Sequence, residues 1–295
     1  MKIGVNYGII NDNFNRKILR LPQSASLTAP SAREPQNVKD VIFMKIAVIT
    51  GASSGLGKEY AFAVSRLRPD IEEIWLIARR EEKLLDVASN LSKRSRILSL
   101  DITKDSAIEE YKGLLETEKA EVCLLVNNAG YGKLGYFDEL SAEDNAGMIR
   151  LNCEALTVMT NVTLPYMKEK SEIINTCSIA SFAPNSRMAV YSSTKAFVMS
   201  FSRALRDELK SKGINVLAVC PGPMETEFLS LAGIEKGTSK TFDTLPRDNA
   251  QRVAEHSLKA SQQQKAVYCD HFFYKFYRVV AKILPTSLVM KMAKT

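Results

Sequence analysis

Residues 45–57 have the sequence KIAVITGASSGLG and carry the clearest indication of the fold in this chain. Their first six residues, KIAVIT, contain a short apolar run and are followed by a glycine, which is typical of a strand buried on both faces of a sheet. The segment that follows, GKEYAFAVSRL, has its apolar residues at helical spacing. The stretch therefore predicts a strand, a tight turn and a helix in immediate succession.

The turn between the predicted strand and helix carries three glycines. Gly51 allows the tight turn, Gly55 lets the backbone approach a pyrophosphate, and Gly57 lets the helix pack against the strand. The unpaired N–H groups and the positive dipole end of the helix also favour an anion. Glycines alone mark ordinary turns, but this position predicts a dinucleotide site formed by Gly51, Ser53, Ser54, Gly55, Leu56 and Gly57.

Strand and helix patterns alternate along the rest of the chain. Further short apolar runs predict strands at EEIWLIA (72–78), RILSL (96–100), EVCLLV (121–126), EIINT (172–176) and INVLAV (214–219). A helical pattern separates each pair, and the longest patterns lie at about 141–169 and 189–211. This alternation predicts an α/β fold, a doubly wound parallel sheet (Rossmann fold) with right-handed crossovers, in a single domain over 44–295.

The composition is that of an ordinary globular protein. The 295 residues are 45% hydrophobic and 25% charged, which excludes collagen, coiled coil and disorder throughout. The net charge of +7 arises from basic residues spread along the chain, so we expect no nucleic-acid partner. Five cysteines without a CxxC motif predict a reduced, cytoplasmic protein without a disulfide framework.

Metal, hydrolase and membrane-spanning classes find little support in the sequence. There are two histidines, His256 and His271, with no third nearby, so we expect no metal site. A Ser-His-Asp hydrolase would have to use one of these two histidines, and the GxSxG match in the sequence, GASSG (51–55), is part of the glycine turn itself. No apolar run reaches the roughly 18 residues that a membrane helix needs.

The first 43 residues differ in composition from the rest of the chain. They hold three prolines, many Ser and Asn residues and little periodicity, which predicts an unstructured arm or a start assigned too far upstream. Basic residues with few acids leave an organelle transit peptide as the alternative.

The segment 271–295 is basic and amphipathic. It has five aromatic and five basic residues and no acidic residue. We expect this segment to pack against the domain, a partner subunit or the mouth of the substrate site. The alternative is contact with an anionic membrane surface.

Four further motifs follow the glycine turn in chain order. They are NNAG (127–130), Ser178 thirteen residues before Tyr191, YSSTK (191–195) and PGPMET (221–226), and Asn152 lies in a predicted helix. Together with Thr50 and the glycine turn, they resemble the motifs of the short-chain dehydrogenase/reductase family over about 45–268. The resemblance implies an NAD(P)-dependent oxidoreductase that interconverts CH–OH and C=O groups.

The motif residues suit proton and hydride transfer. Tyr191 and Lys195 are four residues apart and so share one helix face. The lysine charge and an oxidised nicotinamide would lower the high pKa of the phenol, making Tyr191 the catalytic acid or base. Ser178 would orient the substrate oxygen. By the resemblance, Asn152 holds a water of a proton relay, Tyr191 and Lys195 also contact the cofactor, and Thr226 bonds the nicotinamide carboxamide. Each residue alone could be an ordinary helix or strand residue.

The end of the second predicted strand indicates which cofactor is used. An acidic residue there would bond a ribose 2′-hydroxyl, but the chain has Ala78 followed by Arg79 and Arg80. A guanidinium binds a 2′-phosphate, so Arg79 predicts NADP(H). The alternative is that both arginines pair with the following glutamates. By the resemblance, Asp101 and Ile102 hold the adenine, and Asn128, Pro221 and Gly222 also contact the cofactor.

Three stretches are expected to line a substrate site beyond the carboxyl ends of the strands. They are 131–137, 179–188 and 228–242, the last with two glycines and so a plausible lid. They contribute the apolar residues Tyr131, Leu134, Tyr136, Phe182, Pro184, Met188, Phe228, Leu229, Leu231 and Phe242. This lining predicts a small apolar carbonyl or alcohol substrate, hydroxysteroid-like or fatty.

Two other functions stay open at this point. One is a 3-oxoacyl-thioester reductase, although such family members often end in a strand and DGG, which this chain lacks. The other is a catalytically idle NADP-binding scaffold, although both Tyr191 and Lys195 are present. The resemblance also implies a homodimer or homotetramer formed by the helices at 141–169 and 189–211.

Overall fold

The structure, a computed structural model, describes residues 43–235, 237 and 239–292. The prediction for the N-terminal arm therefore concerns residues outside this part, apart from Phe43. The described chain forms one parallel sheet with strands β1 (Met44–Thr50), β2 (Glu73–Ala78), β3 (Arg94–Ser99), β4 (Ala120–Asn127), β5 (Glu172–Thr176), β6 (Asn215–Val219) and β7 (Val267–Tyr268). The strand order is β3-β2-β1-β4-β5-β6-β7, which confirms the predicted doubly wound α/β fold.

The central strand β1 shows why its sequence is an unbroken apolar run. It pairs in parallel with β2, from Ile46 opposite Glu73 to Thr50 opposite Ile77, and with β4 on its other side. Its residues 46–50 are all buried. A strand covered by helices on both faces has no solvent side, so its apolar residues do not alternate with polar ones.

The seventh strand was not predicted from the sequence. Val267 and Tyr268 pair with Ala218 and Val219 of β6 and close that edge of the described sheet. Two half-buried residues are too short a segment to show any periodicity.

Helices cover both faces of the sheet. They are α1 (Gly55–Leu67), α2 (Glu81–Ser89), α3 (Asp105–Thr117), α4 (Ala142–Ile149), α5 (Leu156–Thr163), α6 (Ala189–Leu209), α7 (Glu227–Leu231), α8 (Lys240–Thr244), α9 (Ala250–Gln262), α10 (Phe272–Ile283) and α11 (Thr286–Met292). Tyr60 of α1 belongs to the apolar core on one face, and Tyr111 of α3 belongs to the core on the other. Among the described residues, no helix has both the length and the apolarity needed to cross a bilayer.

The long helix predicted at 141–169 is built from several pieces. After α4, the residues Arg150–Ala155 form a π-helical turn, α5 follows, and a 3₁₀ turn at Leu164–Tyr166 ends the run. A π turn inserts an extra residue into a helix and is frequent at functional sites. Here it contains Asn152.

Candidate active site

A cavity of about 1040 Å³ lies beyond the carboxyl ends of the strands. It is lined by most of the residues that the sequence singled out, namely Gly51, Ser53, Ser54, Gly55, Leu56, Arg79, Asp101, Ile102, Asn128, Ser178, Tyr191, Lys195, Pro221, Gly222 and Thr226. Open α/β sheets bind ligands at this edge, where the strand order reverses on either side of β1. Gly57 and Asn152 do not line the cavity.

The glycine turn has the geometry that the sequence required. Gly51 and Gly55 have φ angles of +68° and +52°, which side chains disfavour. A Cβ on Gly57 would lie 2.1 Å from the carbonyl oxygen of Gly51, so only glycine fits there. The Ser54 side chain does not cap α1, so the first N–H groups of the helix have no side-chain partner from its N-cap, and Gly55 and Leu56 line the cavity there. The turn can therefore cradle an anionic group.

Hydrogen bonds join the ends of β1 and β4 beneath this turn. The Thr50 hydroxyl accepts from the main-chain N–H groups of Asn128 (3.0 Å) and Ala129 (3.1 Å). The Asn128 amide donates to the carbonyl oxygen of Thr50 at 3.2 Å. Asn127 in turn donates to the side chain of Asn175 on β5 at 2.9 Å. These bonds hold three central strand ends in fixed relative positions.

Tyr191 and Lys195 lie on one face of α6 and both are buried. The Lys195 ammonium lies 5.8 Å from the centre of the Tyr191 ring and donates to the carbonyl oxygen of Thr176 at 2.8 Å. Burial raises the pKa of the Tyr191 phenol, and a hydrogen bond with Ser178 partly offsets this. Burial also lowers the pKa of Lys195, and nearby cysteine sulfurs, which raise that pKa, offset the effect only in part. The protein's own groups thus keep the phenol protonated.

Asn152 lies against the back of this cluster. Its side-chain amide donates to the Tyr131 carbonyl oxygen (2.9 Å) and the Thr194 hydroxyl (3.0 Å), and its oxygen accepts from the Tyr131 N–H (3.0 Å). A Cβ on Gly130 would lie 2.8 Å from the Asn152 oxygen and 3.6 Å from the Lys195 nitrogen. The π turn therefore brings Asn152 to the loop beside Lys195.

Gly132 contacts the tyrosine ring directly, which the sequence did not indicate. A Cβ on this residue would lie 2.7 Å from Cδ2 of Tyr191. Its φ is not positive, so the need for glycine comes from the contact alone. The only signal in the sequence was a second glycine two residues after the NNAG motif.

The two arginines after β2 differ in their surroundings. Arg80 donates to the Ser54 hydroxyl at 2.9 Å and to the Glu227 carboxylate at 2.8 Å, so it pairs with neither following glutamate. Lys83 bonds the same carboxylate, and these two cations lower the pKa of Glu227 to about 2. Arg79 is exposed, and its guanidinium makes no hydrogen bond or ion pair with a described residue.

Charges near the predicted adenine position favour an ionised carboxylate. Burial alone would raise the pKa of Asp101, but hydrogen bonds from Thr103 and the charge of Arg79 outweigh burial and lower it. The Asp101 carboxylate accepts from the Thr103 N–H at 3.1 Å and its hydroxyl at 2.7 Å. Arg79, which follows β2, therefore interacts electrostatically with Asp101, which follows β3.

The segment after β6 is fixed against the glycine turn. The Gly222 N–H donates to the Asp248 carboxylate at 2.7 Å. A Cβ on Gly55 would lie 3.3 Å from Cβ of Thr226, so this threonine packs directly on the turn. Glu227, at the start of α7, continues the same contact to Arg80. No side chain was predicted to make this link.

The apolar end of the cavity differs in part from the prediction. Of the residues expected there, Tyr131, Met188, Phe228, Leu229, Leu231 and Phe242 line it. Leu134, Tyr136, Phe182 and Pro184 do not, and that part of the prediction was wrong. The Phe182 ring packs on Tyr277 instead, with ring centres 5.8 Å apart, and Tyr136 points outwards beside Arg187.

Three residues of the C-terminal helix α10 take part in the cavity. They are Phe273, Tyr274 and Tyr277. A Cβ on Gly222 would lie 2.2 Å from the Tyr274 ring, so the glycine makes room for the helix. Of the alternatives expected for the C-terminal segment, the structure shows packing against the domain, for one face of α10. Across the described residues, no cluster of His, Cys, Asp and Glu side chains is placed to hold a metal ion.

Known proteins with similar sequences and structures point to one family. The family model described as short chain dehydrogenase matches residues 45–236. A very-long-chain 3-oxoacyl-CoA reductase of Danio rerio is 32% identical over 255 residues, which cover 84% of this chain and 78% of that protein. An uncharacterized oxidoreductase of Staphylococcus epidermidis is 29% identical over 225 residues, covering 76% and 93%. A short-chain dehydrogenase from Sphingobium yanoikuyae, solved with NADPH, superposes with a TM-score of 0.68 at 28% identity, covering 81% and 93%.

Proposed function

The chain belongs to the short-chain dehydrogenase/reductase family, and on this premise we propose that it interconverts an apolar ketone and its secondary alcohol with NADP(H). As a member, it is an oxidoreductase that uses a nicotinamide cofactor. The observation that carries the proposal is the buried group of Ser178, Tyr191 and Lys195 at the junction of a glycine-lined and an apolar half of one cavity. At the glycines beside these side chains a Cβ would clash with neighbouring atoms, so the absence of a side chain leaves room for the cofactor.

In this mechanism the cofactor supplies or accepts a hydride at the substrate carbon. In the reducing direction Tyr191 donates its phenolic proton to the substrate oxygen, and Ser178 holds that oxygen by a hydrogen bond. The raised pKa of Tyr191 keeps the proton in place until the substrate oxygen becomes basic. Lys195 then stabilises the phenolate by its charge.

Reprotonation of Tyr191 needs a route out of the buried site. The Asn152 side chain is committed to Tyr131 and Thr194, so the role predicted for Asn152 falls to the main chain of the π turn. A carbonyl oxygen freed by that turn could hold the water that links Lys195 to solvent. Tight packing of Gly130 against Asn152 and Lys195 supports this arrangement.

The preference for NADP(H) is supported by the charge at the end of β2. Arg79 is exposed beside the cavity and makes no hydrogen bond or ion pair through its guanidinium with a described residue, so this group is available to a 2′-phosphate. Arg80 and Lys83 add positive charge near Arg79, and their ion pairs with Glu227 neutralise part of that charge. No carboxylate occupies the position that would bond a free 2′-hydroxyl.

Oligomer formation is supported by apolar side chains on the helices that the resemblance assigned to subunit contacts. Ile149 ends α4, and Phe197 and Phe201 stack on α6 with ring centres 5.9 Å apart. Ile149 and Phe197 are exposed in the single chain. We assign this face to a homodimer or homotetramer contact.

A substrate panel tests the proposed reaction. Oxidation of NADPH by the purified full chain would be followed with hydroxysteroid ketones, fatty ketones and 3-oxoacyl thioesters. We expect turnover of an apolar ketone by the wild type, a loss of at least about 1000-fold in Tyr191→Phe, and unchanged NADPH binding in that variant. Retained turnover in Tyr191→Phe would refute the mechanism, and NADPH binding without any turnover would favour an idle scaffold.

The relatives named very-long-chain 3-oxoacyl-CoA reductase favour a second candidate, the reduction of a 3-oxoacyl thioester. The Danio rerio protein named very-long-chain 3-oxoacyl-CoA reductase is 32% identical to this chain. Both candidates require the same proton donor and differ only in the substrate chain beyond the ketone. A kcat/KM for the thioester well above that for every simple ketone in the same panel would select this candidate.

A further inference from the structure

Helix α10 has an exposed apolar stripe that the rest of the described chain does not cover. Phe272, Phe276, Val279 and Ile283 follow one another at intervals of four, three and four residues, so they share one helix face. Between 52% and 77% of each of these side chains is exposed. Leu288 in α11 is exposed as well and adds to the apolar surface of this segment.

The opposite face of the same helix is anchored in the protein, which fixes the direction of the stripe. Tyr274 is completely buried, and its hydroxyl donates to the carbonyl oxygen of Pro246 at 2.5 Å. The ring nitrogen of His271 accepts from the Phe273 N–H at 3.1 Å and caps the helix. The stripe therefore points outwards because the other face is held, and not because the helix is detached.

Positive charge flanks the stripe. Lys275 and Lys282 are exposed, seven residues apart, and at 100° per residue both fall within roughly 90° of the centre of the stripe, on the same side. Arg278 lies further round on that side, and 271–292 contains no acidic residue. Long basic side chains beside an apolar stripe can reach anionic headgroups while the apolar residues enter the interface.

We propose that α10 lies on an anionic lipid surface, with Phe272, Phe276, Val279 and Ile283 inserted among the headgroups. Charge complementarity favours this occupant over a second copy of the chain. A symmetric pairing of two such faces would bring basic side chains together without a counter-charge, whereas an anionic surface neutralises them.

The proposed surface contact goes beyond the proposed function and does not depend on it, because binding is measured without a substrate. It has a consequence for the same cavity, since Phe273 and Tyr277 of α10 line it. A helix held at a lipid surface would place the cavity next to a reservoir of apolar molecules.

Sedimentation with vesicles tests the contact on the full chain. Vesicles of phosphatidylcholine alone would be compared with vesicles of equal parts phosphatidylcholine and phosphatidylglycerol. We expect binding to the anionic vesicles, weakened by salt, and little binding to the neutral ones. Phe272→Ser with Phe276→Ser should weaken binding at least about tenfold. Each of Lys275→Gln and Lys282→Gln should weaken it about fivefold.

Matched controls separate this contact from general stickiness and from self-association. Lys210→Gln with Lys212→Gln removes two exposed lysines before β6, at the opposite edge of the sheet, and should leave binding unchanged. Equal binding by the wild type and the α10 variants would overturn the proposal. A second result would also overturn it. If the wild type bound no vesicles and the phenylalanine variant had half the molecular mass of the wild type in sedimentation velocity, a second copy of the chain would cover the stripe.

Discussion

At Gly132, a single missing carbon decides whether the tyrosine of the site can take its position. The Cβ of any other residue would lie 2.7 Å from the Tyr191 ring, and at Gly130 it would lie 2.8 Å from the Asn152 oxygen. Neither glycine has a positive φ, so the requirement comes from the neighbouring side chains and not from the backbone. The site depends on close approach at these two positions.

Gly132→Ala should therefore displace the Tyr191 ring without unfolding the protein. Because a displacement of about 1 Å can cost about 100-fold in rate, we expect kcat to fall by about that factor while NADPH affinity changes little. Steady-state kinetics with the best ketone of the panel would measure this. Gly113→Ala is the matched control, because a Cβ at this α3 position meets nothing within 4 Å. Wild-type kcat in Gly132→Ala would contradict the role assigned to the contact.

Arg79 and Arg80 should differ in their contributions to cofactor choice. Arg79→Gln removes a guanidinium that makes no hydrogen bond or ion pair with a described residue, so we expect the KM for NADPH to rise about tenfold or more, with the KM for NADH unchanged. Arg80→Gln should raise the KM for NADPH less, since Glu227 already pairs with this side chain. Arg203→Gln, an exposed arginine on α6, serves as the control. An unchanged ratio of the two KM values in Arg79→Gln would exclude it from 2′-phosphate binding.

Among the elements, α7 is attached to the cofactor side of the cavity by its first residue. Glu227 pairs with Arg80 and Lys83 of the segment after β2, while Leu229 and Leu231 from the same helix line the apolar side. Gly233 follows with a φ of +72° and open space around it. One short helix thus contacts both halves of the cavity. This arrangement is typical of a lid that covers a bound substrate.

Glu227→Gln should loosen this helix. The depressed pKa means that the ion pairs are fully present above about pH 4.5, the usual value, and are lost as the pH falls towards about 2. At neutral pH the glutamine variant lacks them, so we expect faster amide hydrogen exchange over 227–235 with little change in Tm, since these groups are partly exposed. Glu225→Gln is the control, because its partner Arg247 lies outside this contact. Equal exchange in the two variants would contradict the attachment.

At the scale of the whole molecule, the sheet separates two kinds of surface. The carboxyl ends of the strands carry the cavity and α10, while α4 and α6 turn exposed apolar side chains towards solvent along the side of the sheet. The first surface suits ligands and the second suits another copy of the chain.

Substitutions on the second surface should change the oligomeric state. Phe197→Glu and Ile149→Glu place charges on exposed positions, so each subunit should still fold while its contact is lost. Sedimentation velocity should show a lower molecular mass than for the wild type. Leu85→Glu, at an exposed position of α2, should not change it. A mass identical to that of the wild type in both variants would exclude this face as the subunit contact.

The sequence predicts six of the seven described strands, the glycine turn and the motif residues. Buried parallel strands appear in a sequence as short apolar runs. The spacing of the glycines up to Gly57 and of Tyr191 and Lys195 is visible between residues close together in the chain. The three-dimensional contacts alone show that Gly132 contacts Tyr191, that Glu227 reaches Arg80 across 147 positions, and that α10 lines the cavity. Those contacts join residues far apart in the chain or depend on atomic distances. Neither kind of contact can be predicted from the periodicity or the spacing of residues along the sequence.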